Sequence, residues 1–251
     1  MEPMERIITR FTQALDTYDQ NADAQQQICR RLTELLSGHT DMFFCHALEI
    51  GCGTGYLTYL LRRKCVIDEL HVNDLCEACQ SKIAPLAAGR SLHFLPGDAE
   101  TITFPAPFDL IVSASTFQWM KDPARLFHKL AGTLAPGGML AFSTFAPGNL
   151  EEVRQTTGCG LSYPTAGQLN EWLSEDFRII DMHEEEIILT LGTPLDVLRH
   201  LKLTGVTATG DGAWTRERQK DFIIEYHKRY HIDTGEVRLT YRPLYVLAVK
   251  K

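Results

Sequence analysis

The chain has 251 residues, 44% of them hydrophobic and 23% charged, enough for one globular domain with an insertion. Its net charge of −7 argues against nucleic acid as a partner, because phosphate contacts need an excess of Lys and Arg. No apolar run approaches the roughly 18–20 residues that span a bilayer, so no membrane partner is expected. The N-terminal stretch MEPMERIITRFTQ lacks the apolar core of a secretory signal, and a cytoplasmic location is expected.

Helices are expected over residues 5–37. HALEIG then reads as a buried strand, and the glycine-rich turn after it opens a helix through YLTYLLRRK. VIDELHVND is the next strand, LCEACQSKIAPLA a helix, and SLHFLPGD a strand. FDLIVSAS is a short apolar run bounded by Pro107. ARLFHKLAGTLAPGG places Leu126, Phe127, Leu130 and Leu134 on one helix face and stops at Pro136-Gly137-Gly138. MLAFSTF is the following strand. This alternation over about residues 45–145 predicts an α/β fold with a mostly parallel, doubly wound, Rossmann-like sheet.

The pattern then loosens. Residues 146–175 hold Gly and Pro turns around one amphipathic segment. FRIIDMHEEEIILTL reads as a long strand or ribbon, and TPLDVLRHLKLTG and TRERQKDFIIEYHKRY as two helices. LTYRPLYVLAVKK has the density of a buried strand, with Pro243 weakening its beginning. The expected organisation is a single domain over 1–251: N-terminal helices or lid (1–40), ligand-binding core (41–145), a region with a helical insertion (146–235) and a final strand (236–251).

The seven cysteines, 29, 45, 52, 65, 76, 79 and 159, are scattered and odd in number, which fits a reducing compartment. Cys76 and Cys79 form a lone C-x-x-C with no second pair for zinc, and they read as small residues on a helix. The nine histidines show no metal spacing, and no metal is expected.

The sharpest signal is ALEIGCGTG, with Glu49, Gly51, Gly53 and Gly55 at a strand-to-helix turn. Glycines there let the backbone turn tightly and approach a ligand. Asp74 ends the next strand, where an acid accepts hydrogen bonds from ribose hydroxyls. A dinucleotide site prefers G-x-G-x-x-G, and a carboxylate at Glu49 would repel a pyrophosphate. The spacing here is G-x-G-x-G. E-x-G-x-G-x-G resembles the first motif of the class I methyltransferases, and this resemblance implies S-adenosylmethionine as cofactor. It implies that Glu49 helps hold the amino-acid part while the glycines pass beneath. In GDAE it implies that Asp98 binds the adenine amino group beside the Ala99 amide. It also implies that Ser113, at the end of the fourth strand, lines the pocket near the reactive methyl.

That motif names a superfamily and not a substrate. RFTQALDTYDQNADAQQQICRRL, FAPGNLEEVRQ, GLSYPTAGQLNEWL and TPLDVLRHLKLTGVTA together resemble the malonyl-acyl-carrier-protein O-methyltransferases of biotin synthesis. The resemblance covers nearly the whole chain and implies methylation of the free carboxylate of malonyl-acyl carrier protein. It implies Tyr18 over the methyl donor and substrate. A carboxylate is already ionised at neutral pH, so no general base is expected. Trp119 and Phe117 are candidate pocket walls. In DVLRHLKLTG, Val197, Leu198 and Leu201 form an apolar stripe, and Arg199 and Lys202 share a neighbouring face. Arg199 is expected to orient the substrate carboxylate, with Arg154 as the alternative cation. Segment 199–231 holds seven Arg and Lys against four acids, including Asp211, and is a candidate docking face for the acidic carrier protein. Three alternatives stay open: a methyltransferase of another small molecule such as a quinone precursor, an inert S-adenosylmethionine-binding module, and a nicotinamide-dependent oxidoreductase.

Overall fold

The computed structural model describes residues 3–105, 107–205 and 215–251, the first five of these by backbone alone. Two helices, α1 (Pro3–Ala14) and α2 (Asp23–His39), precede the alternating core. The core runs β1 (Phe43–Ile50), α3 (Tyr56–Lys64), β2 (Val66–Asp74), α4 (Gln80–Ile83), β3 (Ser91–Pro96), β4 (Phe108–Ala114), α5 (Pro123–Thr133) and β5 (Leu134–Phe145). It continues through α6 (Glu151–Thr157), α7 (Ala166–Leu173), β6 (Phe177–Glu184), β7 (Ile187–Leu191), α8 (Pro194–Leu203), α9 (Arg216–Tyr230), β8 (Val237–Tyr241) and β9 (Pro243–Lys250).

Seven strands form one sheet in the order β3-β2-β1-β4-β5-β9-β6. β1 to β5 pair in parallel, and β9 runs antiparallel to both β5 and β6. The chain leaves β1 outward through β2 and β3, then returns to β1's other side with β4. That reversal opens a crevice at the carboxyl ends of β1 and β4, where ligands of doubly wound sheets bind. Apolar residues fill both faces of the central strands, as parallel strands require. Ala47, Leu70 and Val112 face α2 and α3, while Leu48, Ile111 and Phe142 face α5 and α7.

Several helix starts follow from local chemistry. Asp122 caps α5 by accepting the Arg125 N–H, and Pro123 needs no partner in the first turn. Thr165 and Gln168 make a reciprocal capping box on α7. Thr193 and Thr215 cap α8 and α9.

The structure departs from the sequence expectations in five places. LCEACQSKIAPLA is not one helix but a single α turn between two 3-10 turns, Glu77–Cys79 and Ala84–Ala87, because Pro85 has no N–H to continue the ladder. Pro136-Gly137-Gly138 lies within β5 after the helix has ended at Thr133, and the β4–β5 register shifts there between Phe108 and Leu110. Residues 146–175 carry two helices, α6 and α7. FRIIDMHEEEIILTL divides between two sheets, since β7 leaves the large sheet to pair with β8. Pro243 opens a new strand opposite Phe145, so the last apolar run is also two strands. The insertion between β6 and β9 is therefore a ribbon carrying two helices. No helix among the described residues is long and apolar enough to cross a membrane.

Candidate active site

The crevice holds a cavity lined by the N-terminal segment, the turn after β1, the ends of β2 and β4 and the region after β5. Its floor is the turn after β1. Gly51, Gly53 and Gly55 all have positive φ, at 74°, 53° and 90°. A Cβ on Gly51 would lie 2.1–2.7 Å from side-chain atoms of Thr116, and one on Gly53 would lie 3.2 Å from the Phe11 ring. The backbone is thus bare where it lines the cavity, the condition for close approach of a ligand.

Asp74 also lines the cavity. Its two carboxylate oxygens accept the Gly53 and Cys76 N–H groups, each at 2.8 Å, which ties the end of β2 to the glycine turn. Burial raises its pKa, and these two N–H donors oppose that rise. Asp98 and Ala99 line the same cavity beyond β3, and Asp98 Oδ1 accepts the Glu100 N–H at 2.9 Å.

Glu49 and Ser113 stand elsewhere. Ser113 is fully buried and donates its hydroxyl to the Ile50 carbonyl at 2.8 Å; Ala114, Ser115 and Thr116 form the wall in its place. Alternation along β4 turns Ser113 away from the wall. Ser115 is left-handed, at φ 54°, and its hydroxyl is buried without a partner. A strained, unsatisfied residue at a cavity wall marks a place built to meet a ligand. Glu49 is fully buried and is absent from the wall. One of its oxygens accepts the Thr58 hydroxyl at 2.6 Å and the other has no protein partner.

Burial pushes the Glu49 pKa from an ordinary 4.5 up to about 8. The folded chain therefore holds a proton that the unfolded chain has lost between about pH 4.5 and 8, and stability falls as pH rises across that window. Glu49→Gln is expected to remove this slope, so that the ligand-free variant melts above its parent at pH 8 and close to it at pH 5. His71 and His200, held below the ordinary imidazole value chiefly by burial, act in the opposite sense near neutrality. The quantity to measure is the difference between variant and parent; parallel melting profiles would contradict the assignment.

The N-terminal segment closes one side. Tyr18 lines the cavity, with its ring edge-on to Phe11 at 5.3 Å, and burial lifts its hydroxyl pKa well above the ordinary value. Asp19 accepts the Thr54 hydroxyl at 2.6 Å, and Asp16 pairs with Lys82 at 2.8 Å. These two bonds latch the segment to the glycine turn and to α4. Trp119 lines the cavity, whereas Phe117 packs against Phe127 and Phe142 in the core.

The opposite wall was not legible from spacing. Tyr163 and Asn149 come from the region after β5, and Tyr241 from the ribbon. Asn149 donates to the Tyr163 hydroxyl at 2.9 Å, so that hydroxyl keeps its own proton to donate. His200 and the Tyr241 hydroxyl share a buried hydrogen bond of 2.8 Å. Burial holds His200 neutral and raises the Tyr163 and Tyr241 hydroxyls, so the wall presents protonated phenols. The expected cations are not part of it. Arg154, Arg199 and Lys202 are all exposed, and no Arg, Lys or His lines the cavity among the described residues. On α8 the inward face is taken by Val197, His200 and Leu201, which turns Arg199 and Lys202 to solvent. The apolar stripe itself is as expected. All seven cysteines are free, with Cys76 and Cys79 buried at the 3-10 turn after β2.

The sheet order, the glycine turn and the acid that β2 brings to it define a class I methyltransferase fold. The profile of the methyltransferase domain family matches residues 48–142. A crystal structure of a candidate methyltransferase from Bacillus halodurans superposes with a TM-score of 0.64 at 14% identity, covering 87% of this chain and 97% of that one. The malonyl-[acyl-carrier protein] O-methyltransferase of Haemophilus ducreyi is 44% identical over 249 residues, 98% of this chain and 96% of that protein. That of Porphyromonas gingivalis is 43% identical over 248 residues, 97% and 95%. The chain belongs to the malonyl-[acyl-carrier protein] O-methyltransferase family.

Proposed function

We propose that the protein methylates the free carboxylate of a malonyl thioester on acyl carrier protein, with S-adenosylmethionine as donor, and so primes the pimeloyl chain of biotin. The cytoplasm is its proposed location, in keeping with seven free thiols. The observation that carries the reaction class is a cavity that sets phenols opposite the acids of the glycine-turn side and lacks a cation among the described residues. When bound, S-adenosylmethionine supplies a methyl group activated by a sulfonium. Asp74 receives ribose hydroxyls, Asp98 and Ala99 the adenine edge, and the glycine turn the amino-acid portion. Glu49 acts from behind that turn.

Tyr18 and Tyr163 hold the substrate carboxylate by neutral O–H donors, with Tyr241 packed behind them on His200. A fixed guanidinium would stabilise the anion before reaction and blunt it, whereas catalysis needs tighter binding of the transition state. Opposite charges cancel as the methyl moves, so a substrate-side wall of neutral phenols favours that passage. The chain needs no proton acceptor for an oxygen already ionised. The N-terminal segment and the ribbon exclude water. The test is methyl transfer to malonyl-carrier protein beside malonyl-coenzyme A and free malonate. An acid-stable, base-labile ester on the carrier-bound malonyl group is expected; a higher kcat/KM with an unrelated acceptor overturns the assignment.

Docking of the carrier protein is assigned to α9. Arg216, Arg218, Lys220, Lys228 and Arg229 are exposed there, while Phe222 and Tyr226 face the core. Asp211 lies outside the described residues. Reversing Arg216 and Arg218 to Glu is expected to lower kcat/KM for malonyl-carrier protein by roughly tenfold at low salt and to flatten its salt dependence. Activity on malonyl-coenzyme A should not change. An unaltered salt profile would move the docking face elsewhere.

A further inference from the structure

Residues 97–107, which join β3 to β4, form no helix among those described. The sheet face that carries Leu48 and Ile50 is therefore left without a helix from this connection across β1, β2 and β3. Polar residues occupy it near the amino ends of those strands. The register places His46 beside Glu69, Glu69 beside Ser91, and His71 beside His93. All point the same way, since residues two apart on a strand share a face.

We propose that Glu69, His71 and His93 bind a divalent transition-metal ion of the zinc type, with His46 as a fourth ligand. One ligand atom from each of the first three residues lies within 4.8 Å of the others. Glu69 Oε1 is 3.5 Å from His71 Nε2 and 3.3 Å from His93 Nε2, and Glu69 Oε2 is 3.4 Å from His46 Nε2. Zinc bonds of about 2.0–2.1 Å at tetrahedral angles put ligand atoms roughly 3.3–3.4 Å apart. The donor set, imidazole with one carboxylate, suits zinc, copper or nickel over calcium or magnesium. Three rings converge on one carboxylate, and no Lys or Arg among the described residues forms an ion pair with it. A metal ion would supply the missing positive charge.

The site is partly built. His71 is buried, stacked on His93 at 4.9 Å and set edge-on to Phe108 at 5.5 Å, so its nitrogen is fixed. His46, Glu69 and His93 have side chains 38–50% exposed, leaving an entry path. Ser91 Oγ shares His93 Nε2 at 2.9 Å and would yield that nitrogen to a metal. None of the four candidate ligands lines the methyl-transfer cavity. His71 stands three residues before Asp74, about 10 Å along the strand. β3 is an edge strand of the sheet and leads directly into Gly97 and Asp98. A metal joining β1, β2 and β3 would brace that edge and act on stability, independently of the reaction assigned above.

The test is titration of the full chain, thiols kept reduced, with Co²⁺ followed by absorption, and competition with Zn²⁺. One equivalent is expected to bind, with the intensified visible bands of a low-coordinate ion and no thiolate charge-transfer band. Zn²⁺ should raise the melting temperature, as any ligand of the folded state does. His93→Ala and Glu69→Gln, both at accessible positions, should each weaken binding at least tenfold while methyl transfer by the metal-free protein is unchanged. Equal affinity in both variants, no saturable binding, or a spectrum dominated by thiolate would overturn the site, the last by pointing to exposed Cys45.

Discussion

Asp74→Ala is expected to weaken S-adenosylhomocysteine binding at least tenfold in calorimetry. Its carboxylate does two jobs in one place. It fixes the glycine turn through the Gly53 N–H and the start of the next loop through the Cys76 N–H, and it presents its remaining lone pairs to the cavity. Losing a hydrogen bond to a charged group in a buried site costs about 1.5–3 kcal/mol, and about 1.4 kcal/mol is a factor of ten. Asp74→Asn keeps one acceptor without the charge and should fall between the variant and the parent. An unchanged Kd for Asp74→Ala, with the melting temperature recorded beside it, would remove Asp74 from the cofactor site.

Gly51→Ala should be more severe, with cofactor affinity reduced by more than a hundredfold or the protein visibly destabilised. The left-handed backbone alone costs about 1–2 kcal/mol for a residue with a Cβ. The new atom would also sit 2.7 Å from Thr116 Cβ, which cannot swing away, so the turn or β4's end must shift. Gly89 is the internal control. It has φ 77°, but a Cβ added there would meet nothing within 4 Å, so Gly89→Ala carries only the backbone cost. Thr116→Ala in the Gly51→Ala background should restore part of the loss, because the two residues compete for one volume. Equal behaviour of the two glycine variants would show that contact with Thr116 does not matter.

The parallel core was legible because its strands are apolar on both faces and its helices carry a 3.6-residue stripe. The glycine turn and Asp74 were legible because a tight backbone approach admits few residue types. Glu49 and Ser113 belong to that legible motif, yet alternation along β1 and β4 sets both behind the wall. Tyr163 and Tyr241 were not legible: they are single phenols on segments 78 residues apart, joined only by the folded ribbon. Arg199 stands outside the cavity lining for a related reason. Its charge suits a carboxylate, but the neighbouring His200 takes the inward position on α8 and bonds Tyr241. The histidines show no motif because His46, His71 and His93 meet through strand register, at separations that a linear reading does not test.

The position of β9 has a consequence for synthesis on the ribosome. This strand, residues 243–250, is the last of those described, yet it lies between β5 and β6 and bonds both. β1 to β5 can assemble the cofactor crevice as they emerge, but the sheet then ends on the twelve-residue flank of β5 with nothing beside it. β6 waits too, separated from its place by a gap one strand wide. Two unpaired edges persist while the ribbon and both its helices are translated, a window in which nascent chains can pair with each other. Closure by β9 ends that exposure, so aggregation of this protein should be governed by how soon β9 arrives.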